Sequence, residues 1–279
     1  MATVSLITGG AGGMGLETAK LVGADHAVVL CDVRQDKLDA AEAALAELGI
    51  AATAVHCDVT DRAAVDDLFQ TVSAVGTLVS VIHAAGVSPS MGDADYIVRT
   101  NAVGTLNVDE AFFASAGDGA AIVNVASMAA HLLPAEIIPS AKFPLALRDQ
   151  GEFMAEMMAA CAIAPEESRP GLAYAVSKSF VRWYSISQAE RFNGRGLRIV
   201  SVSPGSVDTE MGRLEERAGA GAMVTNAAVP RWGRAEEMAA LFAFCASEKA
   251  GYLTGTDILN DGGVVASMTE RARVAAETA

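Results

Sequence analysis

The chain has 279 residues, 52% hydrophobic and 19% charged, a balance that supplies a large apolar core and excludes a disordered chain. Its length fits one α/β domain or two small ones. The net charge of −14 excludes the basic surface that nucleic acid needs, so an acidic ligand would be held locally, by backbone amides. No run of about eighteen apolar residues suggests a transmembrane span, and strand-like sequence starting at Thr3 leaves no room for a secretory signal. The cysteines at 31, 57, 161 and 245 have neither Cys-x-x-Cys nor metal-ligand spacing. No metal site is therefore expected, and a reducing cytoplasmic compartment fits.

Through residue 126, short apolar β-rich runs alternate with helical ones. Strands are predicted at Thr3–Ile7, Ala27–Asp32, Ala52–His56, Leu78–His83 and Ala120–Ala126, with helices near Leu16–Val22, Gln35–Leu48, Asp61–Ser73 and Ala94–Ala116. Continuous apolar strands, rather than alternating ones, indicate a parallel sheet covered on both faces. Helices at Leu172–Phe192 and Ala235–Ser247 precede two further strands, Arg198–Ser203 and Gly255–Leu259. Seven strands with crossover helices make a doubly wound α/β sheet, and no repeat or linker divides it. Two stretches break the rhythm. Residues 128–171 are rich in proline, and residues 206–233, rich in Gly, Ala and Arg, read as a mobile substrate loop with a short helix.

Between the first strand and its helix stands Thr8-Gly9-Gly10-Ala11-Gly12-Gly13-Met14-Gly15. Glycines there permit a tight bend, let backbone approach a pyrophosphate and allow close helix–strand packing. The helix N-terminus adds amide donors and a positive dipole end. The run reads as Gly10-x-Gly12-x-x-Gly15 or as Thr8-Gly9-x-x-x-Gly13-x-Gly15, and both registers end on Gly15. A flexible turn is the bland alternative; the flanking strand and helix favour nucleotide binding. Asp32 closes the second strand, 23 residues after Gly9. A carboxylate there accepts hydrogen bonds from both adenosine ribose hydroxyls and repels a 2′-phosphate, which favours NAD over NADP. Arg34 pulls the other way, and Asp32 merely capping the next turn is the structural alternative. Asp58, ending the third strand, meets the adenine or caps the helix that starts near Asp61.

Farther along comes Tyr174-Ala-Val-Ser-Lys178. Residues four apart share a helix face, so phenol and ammonium meet over one spot. A close cation favours the phenolate and lowers its usual pKa of about 10. The pair reads as a proton-transfer device near neutral pH, against the alternative of a solvated helix face.

With the glycine loop, Asp32, Ser127 and Tyr174-x-x-x-Lys178 in that order, residues 3 to about 263 resemble the short-chain dehydrogenase/reductase family. Further marks support the resemblance. His83-Ala84-Ala85-Gly86 stands where the family usually has Asn-x-Ala-Gly, Asn101 lies in Thr100-Asn101-Ala102-Val103-Gly104, and Ser203-Pro204-Gly205-Ser206-Val207-Asp208-Thr209 matches the Pro-Gly loop beside the nicotinamide. The resemblance implies a single-domain Rossmann fold over 1–279. It also implies an NAD-dependent oxidoreductase, with NADP as the other option, that interconverts a secondary alcohol and a ketone by hydride transfer.

In that family's terms Tyr174 donates a proton to a carbonyl oxygen in reduction and removes it in oxidation. Lys178 binds the nicotinamide ribose and lowers the pKa of Tyr174, Ser127 positions the substrate oxygen, and Asn101 holds a water linking Lys178 to solvent. Cofactor contacts fall to Gly9, Gly13, Met14, Gly15, Asp32, Asp58, Val59, Ala84, Ala85, Gly86, Tyr174, Lys178, Pro204, Gly205, Val207 and Thr209. Bland alternatives exist for Ser127 as a turn former and for Asn101 facing solvent. His83, which replaces the family's Asn, reads as a satisfied core histidine.

Forty-seven positions separate Ser127 from Tyr174, far more than in many family members. Both residues belong at the carboxyl end of the sheet, where open α/β folds bind ligands, so the inserted segment at about 128–171 emerges at the mouth of the site. Phe153, Met154, Met157, Met158 and Cys161 share one helical stripe. The expectation is a helical lid whose Met-rich face lines the pocket and admits a bulky apolar steroid, terpenoid or ring alcohol. Packing of that stripe on the core or on a partner subunit is the alternative. Relatives assemble through helices equivalent to Ala94–Ala116 and Leu172–Phe192, so a homodimer or homotetramer is expected. The rival enzyme is an NADPH-dependent carbonyl reductase using Arg34. A non-catalytic NAD-binding sensor is the rival of another class, and the presence of Ser127, Tyr174 and Lys178 together argues against it.

Overall fold

The computed structural model describes residues 2–278, with the backbone alone for Gly219 and Ala220. In chain order the strands are β1 (Thr3–Thr8), β2 (Ala27–Asp32), β3 (Ala52–His56), β4 (Thr77–His83), β5 (Ala121–Val125), β6 (Arg198–Pro204), β7 (Val207–Asp208), β8 (Gly233–Arg234) and β9 (Asp257–Asn260). The helices are α1 (Gly13–Val22), α2 (Gln35–Glu47), α3 (Arg62–Val75), α4 (Ala94–Val98), α5 (Gly104–Ser115), α6 (Gln150–Cys161), α7 (Arg169–Ser187), α8 (Ala189–Asn193), α9 (Glu210–Glu215), α10 (Gly221–Asn226), α11 (Ala235–Ala246) and α12 (Val264–Thr278).

Seven strands form one parallel sheet in the order β3-β2-β1-β4-β5-β6-β9, the doubly wound α/β arrangement expected. Alternate residues of each strand feed opposite faces. Val4 and Leu6 of β1 join the core formed with α3, α5 and α7, while Ile7 joins the one formed with α1, α2 and α11. Each fully buried Val, Leu or Ile contributes about 1.5–3 kcal/mol, so apolar strands hold a layer on both sides. Strand order reverses between β1 and β4. The connections after these two strands therefore diverge and open a crevice at their carboxyl ends.

Boundaries differ from the sequence reading where geometry overrides propensity. The first helix starts at Gly13 rather than near Leu16 because the glycine turn itself enters it. The helix expected over Ala94–Ala116 is α4 and α5 joined by a π-helical turn, Arg99–Val103, which contains Asn101. Such single-turn widenings are frequent at functional sites. The helix expected over Leu172–Phe192 breaks at Gln188 into α7 and α8. Residues 206–233 are more helical than expected: α9, a π turn over Glu216–Ala220 and α10 follow one another directly. The C-terminal α12 was not anticipated; Arg271 ties it to Asn226 at the end of α10.

The largest correction concerns the insertion. It folds into 3-10 turns at Met128–His131, Ser140–Leu147 and Glu166–Ser168, with α6 between the last two. The α6 stripe does not line a pocket. Phe153, Met154, Met157 and Cys161 are buried in the same core as α4 and α7, and Met158 packs against its edge. The Phe153 ring lies 4.9 Å from that of Phe180 on α7. A stripe of large apolar side chains is stabilised more by a dry helix–helix seam than by an open crevice, and α7 offers that seam. The lid expectation for α6 is therefore replaced by its alternative, packing on the core.

Candidate active site

The crevice begins with the glycine turn. Gly9 and Gly13 adopt left-handed backbone, with φ of 62° and 51°. A Cβ on Gly9 would stand 2.8 Å from the Ala84–Ala85 peptide, and one on Gly15 would stand 2.3 Å from the Gly9 carbonyl oxygen, so turn, helix and the loop after β4 interlock only with glycine. Gly12 caps α1 without a side chain, and nothing lies within 4 Å of where its Cβ would be. The first amides of α1 are thus offered to an anion. Met14 packs on the core beneath. The Thr8 hydroxyl accepts the Ala85 amide at 3.2 Å, and the Ala84 amide donates to the Thr8 carbonyl at 3.1 Å. These bonds fix Ala84, Ala85 and Gly86 opposite the glycine turn. The residues present fit a dinucleotide pyrophosphate.

At the far end, Asp32 closes β2 and accepts the Arg34 amide at 3.2 Å. It makes the capping contact and still stands at the carboxyl edge of the sheet. Asp58 accepts both the amide and the hydroxyl of Thr60, while Asp61 is the residue that caps α3. Val59 is buried, its carbonyl accepting the Asn107 amide at 2.9 Å. On the other side Gly205 donates to the Asn260 carbonyl and allows no Cβ, which would lie 2.6 Å from the Asp261 Cα. Pro204 ends β6 and Val207 is buried behind it. Thr209 caps α9 through its hydroxyl, and its methyl lies 3.2 Å from where a Gly13 Cβ would be.

Ser127, Tyr174 and Lys178 converge at the carboxyl end of β5. Ser127 follows β5 and caps the next 3-10 turn, accepting the Ala129 amide at 3.2 Å. Lys178 donates to the Val125 carbonyl at 2.8 Å, and its Nζ is 6.0 Å from the centre of the Tyr174 ring. A Cβ on Gly86 would sit 3.0 Å from Asn101 Oδ1 and 3.3 Å from Lys178 Nζ, so the bare backbone makes room for both.

The electrostatics differ from the sequence reading. Burial pushes the Tyr174 phenol up; a hydrogen bond from Ser127 partly offsets this, and the nearby Glu215 carboxylate adds to it. Burial lowers Lys178 to about 8. The ammonium donates to the Val125 carbonyl, and burial rather than Lys178 dominates the shift of Tyr174, which runs upward instead of downward as expected. Near neutral pH the pair rests as neutral phenol and ammonium.

Asn101 acts on the loop after β4. Its amide donates to the Val87 carbonyl at 3.0 Å and accepts the Val87 amide at 2.8 Å, with a third contact to the Ser177 hydroxyl at 3.2 Å. His83 is the buried core residue expected. Thr105 donates to the Asn101 carbonyl, which leaves its oxygen to accept from His83 Nε2, while His83 Nδ1 accepts from the Thr8 hydroxyl. Burial and the charge of Lys178 drop the pKa of His83 to about 3, so it is neutral and braces β1 against the first turn of α5.

Three side chains that sequence reasoning passed over complete the site. His131, four residues after Ser127, donates to Asp257 Oδ2 at 2.8 Å and so pins the Ser127 turn to β9. Glu215 on α9 accepts the Ser90 amide at 3.0 Å, bridging two loops above Tyr174. Glu210 pairs with Lys37 on α2 and approaches Arg34 at 3.7 Å. Ser90 and Glu215 are 125 positions apart, and no local pattern marks such a contact. Among the described residues, no group of three His, Cys, Asp or Glu could hold a metal ion, and no helix is long and apolar enough to cross a membrane.

Comparison with known proteins gives the same reading. A family model described as short chain dehydrogenase matches residues 3–139, and one described as Enoyl-(Acyl carrier protein) reductase matches residues 145–265. A short-chain dehydrogenase/reductase of Alternaria brassicicola, bsc3, is 29% identical over 96% of this chain and 98% of its own. The 3beta-hydroxysteroid dehydrogenase 2 of Eggerthella lenta is 26% identical over 93% of each chain. A short chain dehydrogenase from Burkholderia cenocepacia, solved in complex with NADP, superposes with a TM-score of 0.73 at 26% identity, covering 93% of this chain and 96% of its own. The chain belongs to the short-chain dehydrogenase/reductase family and is an oxidoreductase acting on CH–OH and carbonyl groups.

Proposed function

We propose that this chain is an NAD-dependent dehydrogenase that interconverts a secondary alcohol and a ketone, with Ser127, Tyr174 and Lys178 as its catalytic residues and Asn101 as their support. The observation that carries this is the convergence of those three side chains at the end of β5, where Lys178 meets Gly86 of the loop packed on the glycine turn, with Asp32 at the end of β2. When bound, the cofactor supplies the nicotinamide ring carbon that gives or takes the hydride. Ser127 holds the substrate oxygen, and Tyr174, resting as the neutral phenol, gives that oxygen its proton in reduction or receives it in oxidation. Lys178 keeps positive charge near the developing oxyanion and the ribose hydroxyls. Asn101 clamps Val87 and thereby the loop that confines Lys178.

A carboxylate at position 32 repels a 2′-phosphate, which supports NAD. The second reading, an NADPH-dependent carbonyl reductase, is favoured by the Arg34 and Lys37 cations at the same end. A bulky apolar ring alcohol is the proposed substrate, supported by the hydroxysteroid activity in the name of one relative; the α6 stripe no longer argues for it. Assembly as a homodimer or homotetramer and a cytoplasmic location belong to the same proposal, the latter supported by four buried, unpaired cysteines. Tyr174→Phe should lower turnover across a panel of cyclic secondary alcohols and ketones by about 10²–10⁴-fold, followed by NADH absorbance. Unchanged turnover would remove Tyr174 from the proposed role.

A further inference from the structure

The segment after β7 crosses the crevice from one end to the other. Thr209 lies against the glycine turn, Glu215 reaches the Ser90 amide above Tyr174, and Glu210 reaches back to the start of α2. At that last point the Glu210 carboxylate pairs with Lys37 and stands 3.7 Å from Arg34 Nη1, while Arg34 also holds Asp36 at 3.0 Å. Asp32 lies two residues before Arg34 and accepts its amide. Three carboxylates, Asp32, Asp36 and Glu210, thus face two cations. Removing Glu210 would leave the ribose end neutral, free Lys37 and leave Arg34 held by Asp36 alone.

A 2′-phosphate needs such cations, because a phosphate is bound through charge-assisted hydrogen bonds from Arg or Lys. We propose that Glu210 is a cofactor-specificity residue: by occupying Lys37 and Arg34 it denies them to the 2′-phosphate of NADP and makes that phosphate and the closed position of α9 mutually exclusive. The inference rests on the NAD reading and deepens it, since Asp32 alone leaves two neighbouring cations unexplained. Coupling of this kind is reciprocal. If a docked α9 disfavours the 2′-phosphate, the phosphate must loosen α9 in turn.

The test is calorimetric titration of NAD and NADP into the wild-type apoprotein, Glu210→Gln, and Glu210→Gln combined with Arg34→Ala. Glu210 is 72% exposed, so its replacement leaves the core intact. Exposed pairs of this type differ by up to roughly fivefold in affinity. NADP should therefore bind Glu210→Gln about three- to fivefold more tightly than wild type, with NAD changed by less than about twofold, and the gain should vanish in the double variant. A second readout is the emission of Trp232, whose ring faces Arg213 of α9 at 4.8 Å. In a Trp183→Phe background it should shift on adding NADP and much less on adding NAD. An NADP-to-NAD affinity ratio unchanged in Glu210→Gln, in a protein whose wild type prefers NAD, overturns the role of Glu210 alone. A wild-type preference for NADP overturns the NAD reading and this inference together.

Discussion

Two helical segments interrupt the α/β rhythm of this chain, and they are held by opposite kinds of force. The α6 helix is fastened by apolar burial: Phe153 is fully buried and Met157 nearly so, in the core shared with Phe180 of α7. Among the described residues, the α9–α10 segment keeps no fully buried side chain of that size. It lies on the crevice through the pairs of Glu210 with Lys37 and Arg34, the Glu215–Ser90 hydrogen bond and the Arg213–Asp208 ion pair. Burying a large side chain contributes about 1.5–3 kcal/mol, whereas exposed ion pairs contribute about 0.2–1 kcal/mol each. The first segment is therefore a fixed part of the fold, and the second is fastened by contacts that acid or salt weakens. Apolar content in an insertion marks burial here, and charged contacts mark the more weakly fastened segment.

The contrast predicts graded losses. Phe153→Ala should destabilise the protein by about 3–5 kcal/mol, seen as a lower denaturation midpoint in urea. A loss under about 1 kcal/mol would mean that α6 is a loosely held lid after all. Next, the two tryptophans report the two regions separately, since Trp183 packs at a tilt against Phe143 and Phe180 while Trp232 sits against α9. Lys37, and then Arg34, hold the Glu210 carboxyl below its usual value. A depressed carboxyl contributes stability that is complete above its unfolded pKa and is lost as pH falls through the lower, folded one. Acidification below about pH 4.5, or salt near 1 M, should shift Trp232 emission before Trp183 emission moves. Simultaneous shifts would erase the distinction. The smallest effect belongs to Glu215→Ala, which should raise KM about two- to fivefold through loss of one exposed hydrogen bond, with stability changed by less than about 0.5 kcal/mol. An unchanged KM would show that the Ser90 latch does not act on the substrate.

Legibility in the sequence followed the range of the interaction. The glycine turn was readable because its requirements are local: positive φ at Gly9 and Gly13 and the missing Cβ at Gly15 all arise within one strand-to-helix connection. Tyr174 and Lys178 were readable because helical spacing puts them on one face. His83 was correctly read as a core residue, although its links to Thr8 and Thr105 were not. The Met stripe was visible as a stripe, but periodicity does not say which surface a helix will bury. The direction of the Tyr174 shift was missed because it depends on burial and on where Lys178 points, and spacing fixes neither.

Residue order by itself therefore determined the parallel sheet, the glycine turn after its first strand and the shared helix face of Tyr174 and Lys178, because strand composition, glycine backbone freedom and helical periodicity act over a few residues. Tertiary structure alone decided that α6 joins the core, that Lys178 faces a carbonyl, and that Glu210 and Glu215 reach Lys37 and Ser90 across 173 and 125 positions. Those outcomes depend on which surfaces meet once the sheet has formed, and on the loss of water around the groups that meet.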